Sequence, residues 1–307
     1  MNTNRREFLK GSLCFGGAAA LAMSALGEGG RTGIRLRFLG TGAAGVWKGA
    51  PRRQSSVLLE NATLIDFTAC NLDMLPEGCR PDTVLYTHSH GDHYDPVAAL
   101  KLGVKRVYAH ETWANCARRH FAEFGAKLGL PPPEVIALKF GEPVTVNGLV
   151  FTSLPANHCT DRVTDGVLER PSFYLVEKGA ARLLYATDTG GIPGEAARYI
   201  GIDAHISETR AVRPPIHRAQ AITALVMEAT MARGLEDDFR LYVHSSVDTV
   251  ERTVKVLTKT GRYLPPPDQP VYITHMGVGY PDSADEIDKT LPAPLKAARD
   301  GLEVVLG

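Results

Sequence analysis

The early hydrophobic stretches of this chain are short, contain β-branched residues and end at turn-forming residues. That pattern predicts strands over residues 34–39, 56–60, 63–67, 83–87 and 104–109. Longer segments predict helices over 95–102, 112–128, 194–199, 218–233 and 248–260. Further strands are expected over 144–154, 173–177, 182–186, 240–243 and 271–274. Strands first, then strands alternating with helices, repeated in two halves, imply an α/β protein. The expected architecture is an αββα sandwich, two mixed sheets packed together with helices outside. The triplets Pro131-Pro132-Pro133 and Pro265-Pro266-Pro267 read as rigid loops, so residues 26–307 are expected to form one domain.

Composition narrows the class. The 307 residues include 34 basic and 34 acidic side chains, with 44% hydrophobic and 22% charged. These values exclude a disordered chain, a collagen and a coiled coil. Residues 1–25 hold Arg5, Arg6, Lys10 and Glu7, so the remainder carries 31 basic against 33 acidic groups. A body so near neutrality has no broad electrostatic attraction for nucleic acid. It also has no run of 18 apolar residues, which argues against a membrane-spanning protein.

The segment Asn4-Arg5-Arg6-Glu7-Phe8-Leu9-Lys10 precedes an apolar stretch, residues 11–26, rich in Gly, Ala and Ser. It resembles a twin-arginine export signal. The resemblance implies a signal over residues 1–25, cleavage near Ala25 and transient engagement of the twin-arginine export machinery. It further implies a periplasmic or extracellular destination, without a stable membrane anchor. The remaining cysteines, Cys70, Cys79, Cys116 and Cys159, form no Cys-x-x-Cys pair, so no structural zinc site is indicated. An oxidising compartment permits a Cys70–Cys79 disulfide; four buried thiols are the preferred reading.

The strongest chemical signal is Thr87-His88-Ser89-His90-Gly91-Asp92-His93, directly after the apolar run Thr83-Val84-Leu85-Tyr86. Three imidazoles and a carboxylate within six residues are hard to explain as packing. Imidazole nitrogen and carboxylate oxygen both bind divalent metals at about 2.0–2.2 Å. On a loop leaving a strand, residues i and i+2 can point together while i+4 and i+5 turn to a neighbouring position. One short motif can therefore feed two metals.

The His-x-His-x-Asp-His motif after a strand resembles that of the metallo-β-lactamase superfamily. Later landmarks stand in the matching order: His158 after Leu154-Pro155-Ala156-Asn157, Asp188 after Tyr185-Ala186-Thr187, and His275 after Tyr272-Ile273-Thr274. The resemblance implies that His88, His90 and His158 hold one metal, and Asp92, His93 and His275 the second, with Asp188 bridging. It implies Asp66 as an acceptor supporting a ligand histidine. Two divalent cations, zinc or manganese with iron also suited, lower the pKa of water toward about 7 and stabilise developing charge. The expected activity is hydrolysis by a two-metal-bound hydroxide, with Asp92 counted among the catalytic groups and a small molecule as substrate.

Asp188 separates the chain from true metallo-β-lactamases, which generally lack the bridge. The 32 residues after His275 leave no room for the helical substrate domain of glutathione thioester hydrolases. The opening Phe38-Leu39-Gly40-Thr41-Gly42-Ala43-Ala44-Gly45 is similar to that of the phosphodiesterase branch, which includes phosphoribosyl cyclic phosphate phosphodiesterases and transfer-RNA 3′ nucleases. The closing segment, from Thr274 to Val304, is similar to the cyclic phosphate enzymes. The chain departs from both groups: it lacks the cysteine-rich zinc site of the first and the basic arm of the second. No nucleic-acid substrate is expected. A small, possibly cyclic phosphodiester is the leading expectation; a lactonase or other carboxylic-ester hydrolase is the alternative, and a metal carrier without activity ranks third. A leaving alkoxide needs a proton, for which His244 is favoured over His217. Arg52 and Arg53 are candidates for holding phosphate, their alternative being surface arginines. Asp161 and Arg162 are candidates for shaping the pocket mouth.

Overall fold

The computed structural model describes residues 33–44, 51–201, 221–235 and 238–307. The expected signal segment and His217 lie outside them. Two seven-stranded mixed sheets carry the architecture. The first contains β1 (Ile34–Gly40), β2 (Ser56–Leu59), β3 (Thr63–Ile65), β4 (Thr83–Leu85), β5 (Arg106–His110), β6 (Glu134–Leu138) and β16 (Glu303–Leu306). Its order is β16-β1-β2-β3-β4-β5-β6, antiparallel from β16 to β3 and parallel from β3 to β6. The second contains β7 (Pro143–Val146), β8 (Leu149–Pro155), β11 (Ser172–Lys178), β12 (Ala181–Ala186), β13 (Ala224–Glu228), β14 (Val271–Thr274) and β15 (Leu295–Ala297). Its order is β15-β14-β13-β12-β11-β8-β7, parallel from β12 to β15. A separate hairpin pairs β9 (Val163–Thr164) with β10 (Val167–Leu168).

Period-two alternation assigns side chains to layers. In β12, Leu183 and Tyr185 enter the core between the sheets, while Leu184 and Ala186 enter the core under the helices. In β13, Ala224 and Val226 take the first role, Leu225 and Met227 the second. On the other sheet, Leu36, Phe38, Val57 and Leu59 face inward, while Leu58, Leu64 and Val84 meet the outer helices α1 (Pro96–Leu102) and α2 (Glu111–Leu128). The helix α4 (Val247–Lys259) covers the second sheet with Val247, Val250, Val254 and Leu257, beside the short α3 (Gly194–Tyr199) and α5 (Ala284–Asp288). The αββα expectation therefore holds.

Helix α1 begins three residues past the metal motif, and its boundaries are locally encoded. Asp95 accepts from Ala98 N at 2.9 Å, Pro96 occupies the first turn, and Gly103 closes the helix at φ 84°.

Three expectations are corrected. Residues 224–228 form strand β13 rather than part of a helix over 218–233. Both faces of β13 are buried, so its apolar residues run on without alternation and resemble a buried helix. The strand expected over 240–243 is a single 3-10 turn, Phe239–Tyr242, capped by Asp238, which accepts from Arg240 N. The strand expected over 144–154 breaks into β7 and β8 at Asn147-Gly148, whose φ values of 49° and 81° suit a tight hairpin turn. The expectation of four buried thiols is corrected as well: all four described cysteines are free, but Cys116 alone is buried, Cys79 is half-buried, and Cys70 and Cys159 are exposed. Among the described residues, no helix is long and apolar enough to cross a membrane.

Candidate metal centre

The site gathers at the carboxyl ends of strands. Loop 87–93, leaving β4, supplies His88, His90, Asp92 and His93. His158 follows β8, Asp188 follows β12 and His275 follows β14. Parallel pairing of β12, β13 and β14 aligns their ends on one edge, where ligands can converge. Asp66, Asp188 and His275 adopt left-handed backbone, with φ of 56°, 46° and 53°. Such a conformation is strained for non-glycine residues, and it turns each chain sharply as it leaves its strand. Gly190 meets a different demand: a Cβ there would lie 2.6 Å from the Tyr242 carbonyl, so only glycine permits that approach.

Among the described residues three donor groups result, His88–His90–His158–Asp188, Asp92–His93–Asp188–His275 and Asp188–Glu228–His244–His275, each with its ligand atoms within 4.8 Å of one another. The first two are those the motif residues build, and Asp188 belongs to all three. Its Oδ2 lies 3.2 Å from His88 Nε2 and 3.0 Å from His93 Nε2, while Oδ1 lies 2.8 Å from His275 Nε2. His90 Nδ1 and His158 Nε2 are 3.1 Å apart, and His93 Nε2 and His275 Nε2 3.2 Å.

The outer nitrogens settle the tautomers. Thr87 Oγ1 donates to Asp66, so it accepts from His88 Nδ1 at 2.9 Å. Asp66 Oδ2 accepts from His93 Nδ1 at 2.7 Å, and the Val243 carbonyl from His158 Nδ1 at 3.1 Å. Thr230 Oγ1 donates to Glu228, so it accepts from His275 Nδ1 at 2.8 Å. Four imidazoles thus carry their proton on the outer nitrogen and turn the Nε2 lone pair inward. His90 presents Nδ1 instead. Buried His88 Nε2 has no hydrogen-bond partner, an arrangement that is costly unless something else engages it. This all-nitrogen-and-oxygen donor set suits zinc, manganese or iron. The residues fit a pair of divalent cations.

Electrostatics agree. Burial, aided by His93, pushes His88 down to about 3, so its imidazole is neutral and available to a cation. Burial also lowers His90 and His158. Burial acts against a proton on His275 as well, but Asp188 and Asp92 overcome it and raise the group to about 10. His93 is raised against burial by Asp188, Asp92 and Asp66. Asp92 and Asp188 remain carboxylates despite burial, held well below the usual range by His93 and His275. In the metal-free protein His93 and His275 are therefore drawn toward a second proton, on Nε2 against Asp188, and that nitrogen is a free donor only when a cation takes the proton's place.

The sequence-predicted residues separate clearly. His88, His90, Asp92, His93, His158, Asp188 and His275 come together, and Asp66 binds the motif loop through Thr87 and His93. His244 stands beside the cluster, its Nδ1 3.1 Å from Glu228 Oε2 and 3.7 Å from Asp188 Oδ1. Arg52 and Arg53 are engaged elsewhere. Arg52 is buried and donates to the carbonyls of Pro281, Asp282 and Tyr280; Arg53 pairs with Asp73 and Asp300. Both guanidiniums thus tie loops together.

Sequence reasoning missed Glu228, Thr230 and Glu169. Glu228, wholly buried at the end of β13, accepts from the Thr189 amide and Thr230 Oγ1 and faces His244. The signal was an acidic residue closing the apolar run Leu225-Val226-Met227, hidden while that segment read as helix. Glu169 carried no local signal, because its partner Ser89 is 80 residues away.

Facing mixed sheets with outer helices and a histidine–aspartate cluster on one edge define the metallo-β-lactamase fold. The chain matches the beta-lactamase superfamily domain over residues 70–276, and it belongs to that family. Two curated relatives are a UPF0173 metal-dependent hydrolase of Thermococcus kodakarensis, 27% identical over 117 residues, and one of Methanopyrus kandleri, 29% identical over 120 residues. These matches cover 37% and 38% of this chain, and the chain spans about half the length of each relative, 46% and 47%. Among solved structures, the metallo-beta-lactamase fold protein YhfI from Bacillus subtilis superposes with TM-score 0.62 at 14% identity, over 90% of this chain and 100% of that one. A diphosphatase of the PhnP family gives 0.54 at 22% identity over 89% and 100%. The short form of human tRNase Z gives 0.58 at 15% identity over 89% and 99%.

Proposed function

We propose that this chain is a metal-dependent hydrolase with two cation positions, acting on a small phosphodiester. The observation that carries the reading is the pair of donor groups sharing Asp188, with inward Nε2 lone pairs fixed from outside. Divalent cations held there supply a nucleophile at neutral pH and a contact for charge developing on the scissile group. The protein's own residues perform the rest. Asp66, Thr87, Thr230 and the Val243 carbonyl keep the imidazoles oriented, and Asp188 couples the two positions. Glu228 holds His244 by Nδ1, which leaves Nε2 as the atom to deliver a proton to a leaving alkoxide.

The phosphodiester assignment draws support from the His244–Glu228 pair and from the similarity in fold to a PhnP-family diphosphatase and to tRNase Z. One observation favours a carboxylic-ester or lactone substrate instead: Arg52 is buried on three backbone carbonyls and Arg53 is paired with Asp73 and Asp300. Zinc-, manganese- and iron-loaded protein assayed on bis(p-nitrophenyl) phosphate, a lactone and a β-lactam separates these readings. Phosphodiester turnover is expected; lactone opening without it reverses the order, and failure to bind metal ends the proposal. We also propose residues 1–25 as an export signal. Replacing Arg5 and Arg6 by lysine should keep the protein in the cytoplasm on cell fractionation, and unchanged export overturns that assignment.

A further inference from the structure

Apart from Asp66, one more buried carboxylate holds the motif loop, and it touches none of the proposed ligands. Glu169, with its side chain fully buried, accepts from Ser89 N at 2.8 Å and from Ser89 Oγ at 2.5 Å. Arg162 Nε donates to the same hydroxyl at 2.6 Å. Ser89 therefore has its amide, its hydroxyl proton and an oxygen lone pair all engaged. It lies between His88 and His90, so its backbone sets their relation: centroids 4.5 Å apart, ring planes at 76°.

Both partners come from one element. The hairpin of β9 and β10 starts just beyond His158, and its base is closed by Glu169 N donating to the Arg162 carbonyl at 2.9 Å. Ser172 N, on the strand leaving it, donates to the Thr87 carbonyl at 2.9 Å. The hairpin thus joins the arm bearing His158 to the loop bearing His88 and His90, the three imidazoles of one donor group. The other group is supported from the far side, by Asp66 on His93 and Thr230 on His275. Burying a carboxylate is costly unless its oxygens are well paired. Here the pairing is spent on one residue of the motif loop.

We propose that Glu169, acting with Arg162 through Ser89, is a positioning residue for the His88–His90–His158 side of the centre and sets cation affinity there alone. The inference rests on the two-cation reading, and cobalt(II) titration of metal-free protein tests each separately. Calorimetry follows affinity, and the visible absorption bands follow geometry. Wild type is expected to take up two equivalents; uptake of none defeats the two-cation reading itself. In Glu169→Gln, one equivalent should weaken by about 10–100-fold, the range for groups that orient ligands, with its bands shifted and the other equivalent unchanged. Ser89→Ala should reproduce this loss, and Ser89→Thr, which keeps a hydroxyl, should restore affinity. Two equivalents bound as in wild type, or both weakened alike, overturn the proposal. If Glu169→Gln does not fold, the Ser89 variants decide by the same criteria.

Discussion

At the scale of single residues, four of the candidate ligands, His88, His93, His158 and His275, each depend on a partner that fixes the outer ring nitrogen. Asp66→Asn weakens the acceptor of the His93 Nδ1 proton and should reduce metal affinity by about 10–100-fold, measured by competition with a chromophoric chelator. His244 makes a different prediction, because the role proposed for it is to deliver a proton, whereas a ligand role would follow from its place beside Asp188, Glu228 and His275. His244→Ala should lower turnover of an alkyl phosphodiester by about 10²–10⁴-fold with metal content unchanged. The loss should be smaller with a p-nitrophenolate leaving group, which departs without help. Equal losses on both substrates would remove His244 as the proton donor. The seven ligand candidates were legible in the sequence because each pairs a distinctive residue type with the end of an apolar run. Glu169 was not, since its importance comes from a contact across 80 residues.

At the scale of elements, loops and caps hold the motif in register. Asp95→Ala removes the cap of α1 and should cost about 1 kcal/mol in chemical denaturation while metal stoichiometry is retained. His110, where β5 passes into α2, gives a pH signature of its own, since it is not among the candidate ligands. It is stacked on Phe140 at 3.9 Å, and burial, then Arg170, pushes it down to about 4. In the unfolded chain it titrates near 6.5. Between these values the unfolded state binds the additional proton, so stability falls as pH drops from about 6.5 toward 4. His110→Asn should flatten that part of the Tm–pH curve; an unchanged slope would show that other groups govern it. Element identity was legible where one face is polar, as in α4, and misread in β13, where both faces are buried. Reading that strand as helix is what concealed Glu228.

At the scale of the whole molecule, cation binding and folding are linked, because the donors converge only once both sheets are assembled. Free metal at 100 times its dissociation constant should add about 2.7 kcal/mol per site to stability, seen as a rise in Tm that a chelator reverses. Asp188→Asn, which strips charge from the residue common to the donor groups, should lose most of that rise. A full rise in that variant would mean that the two positions bind independently of it.

Sequence alone determined the sandwich, the motif loop and which histidines and aspartates cluster at one sheet edge, because alternation, turn residues and the spacing of histidines are local properties of the chain. The tertiary structure alone decided which nitrogen of each imidazole faces inward, that Glu228 stands behind His244, that Glu169 braces Ser89, and that Arg52 and Arg53 serve the scaffold. Those outcomes depend on contacts between strands and loops distant in sequence, and a hydrogen bond exists only where packing brings its two ends together.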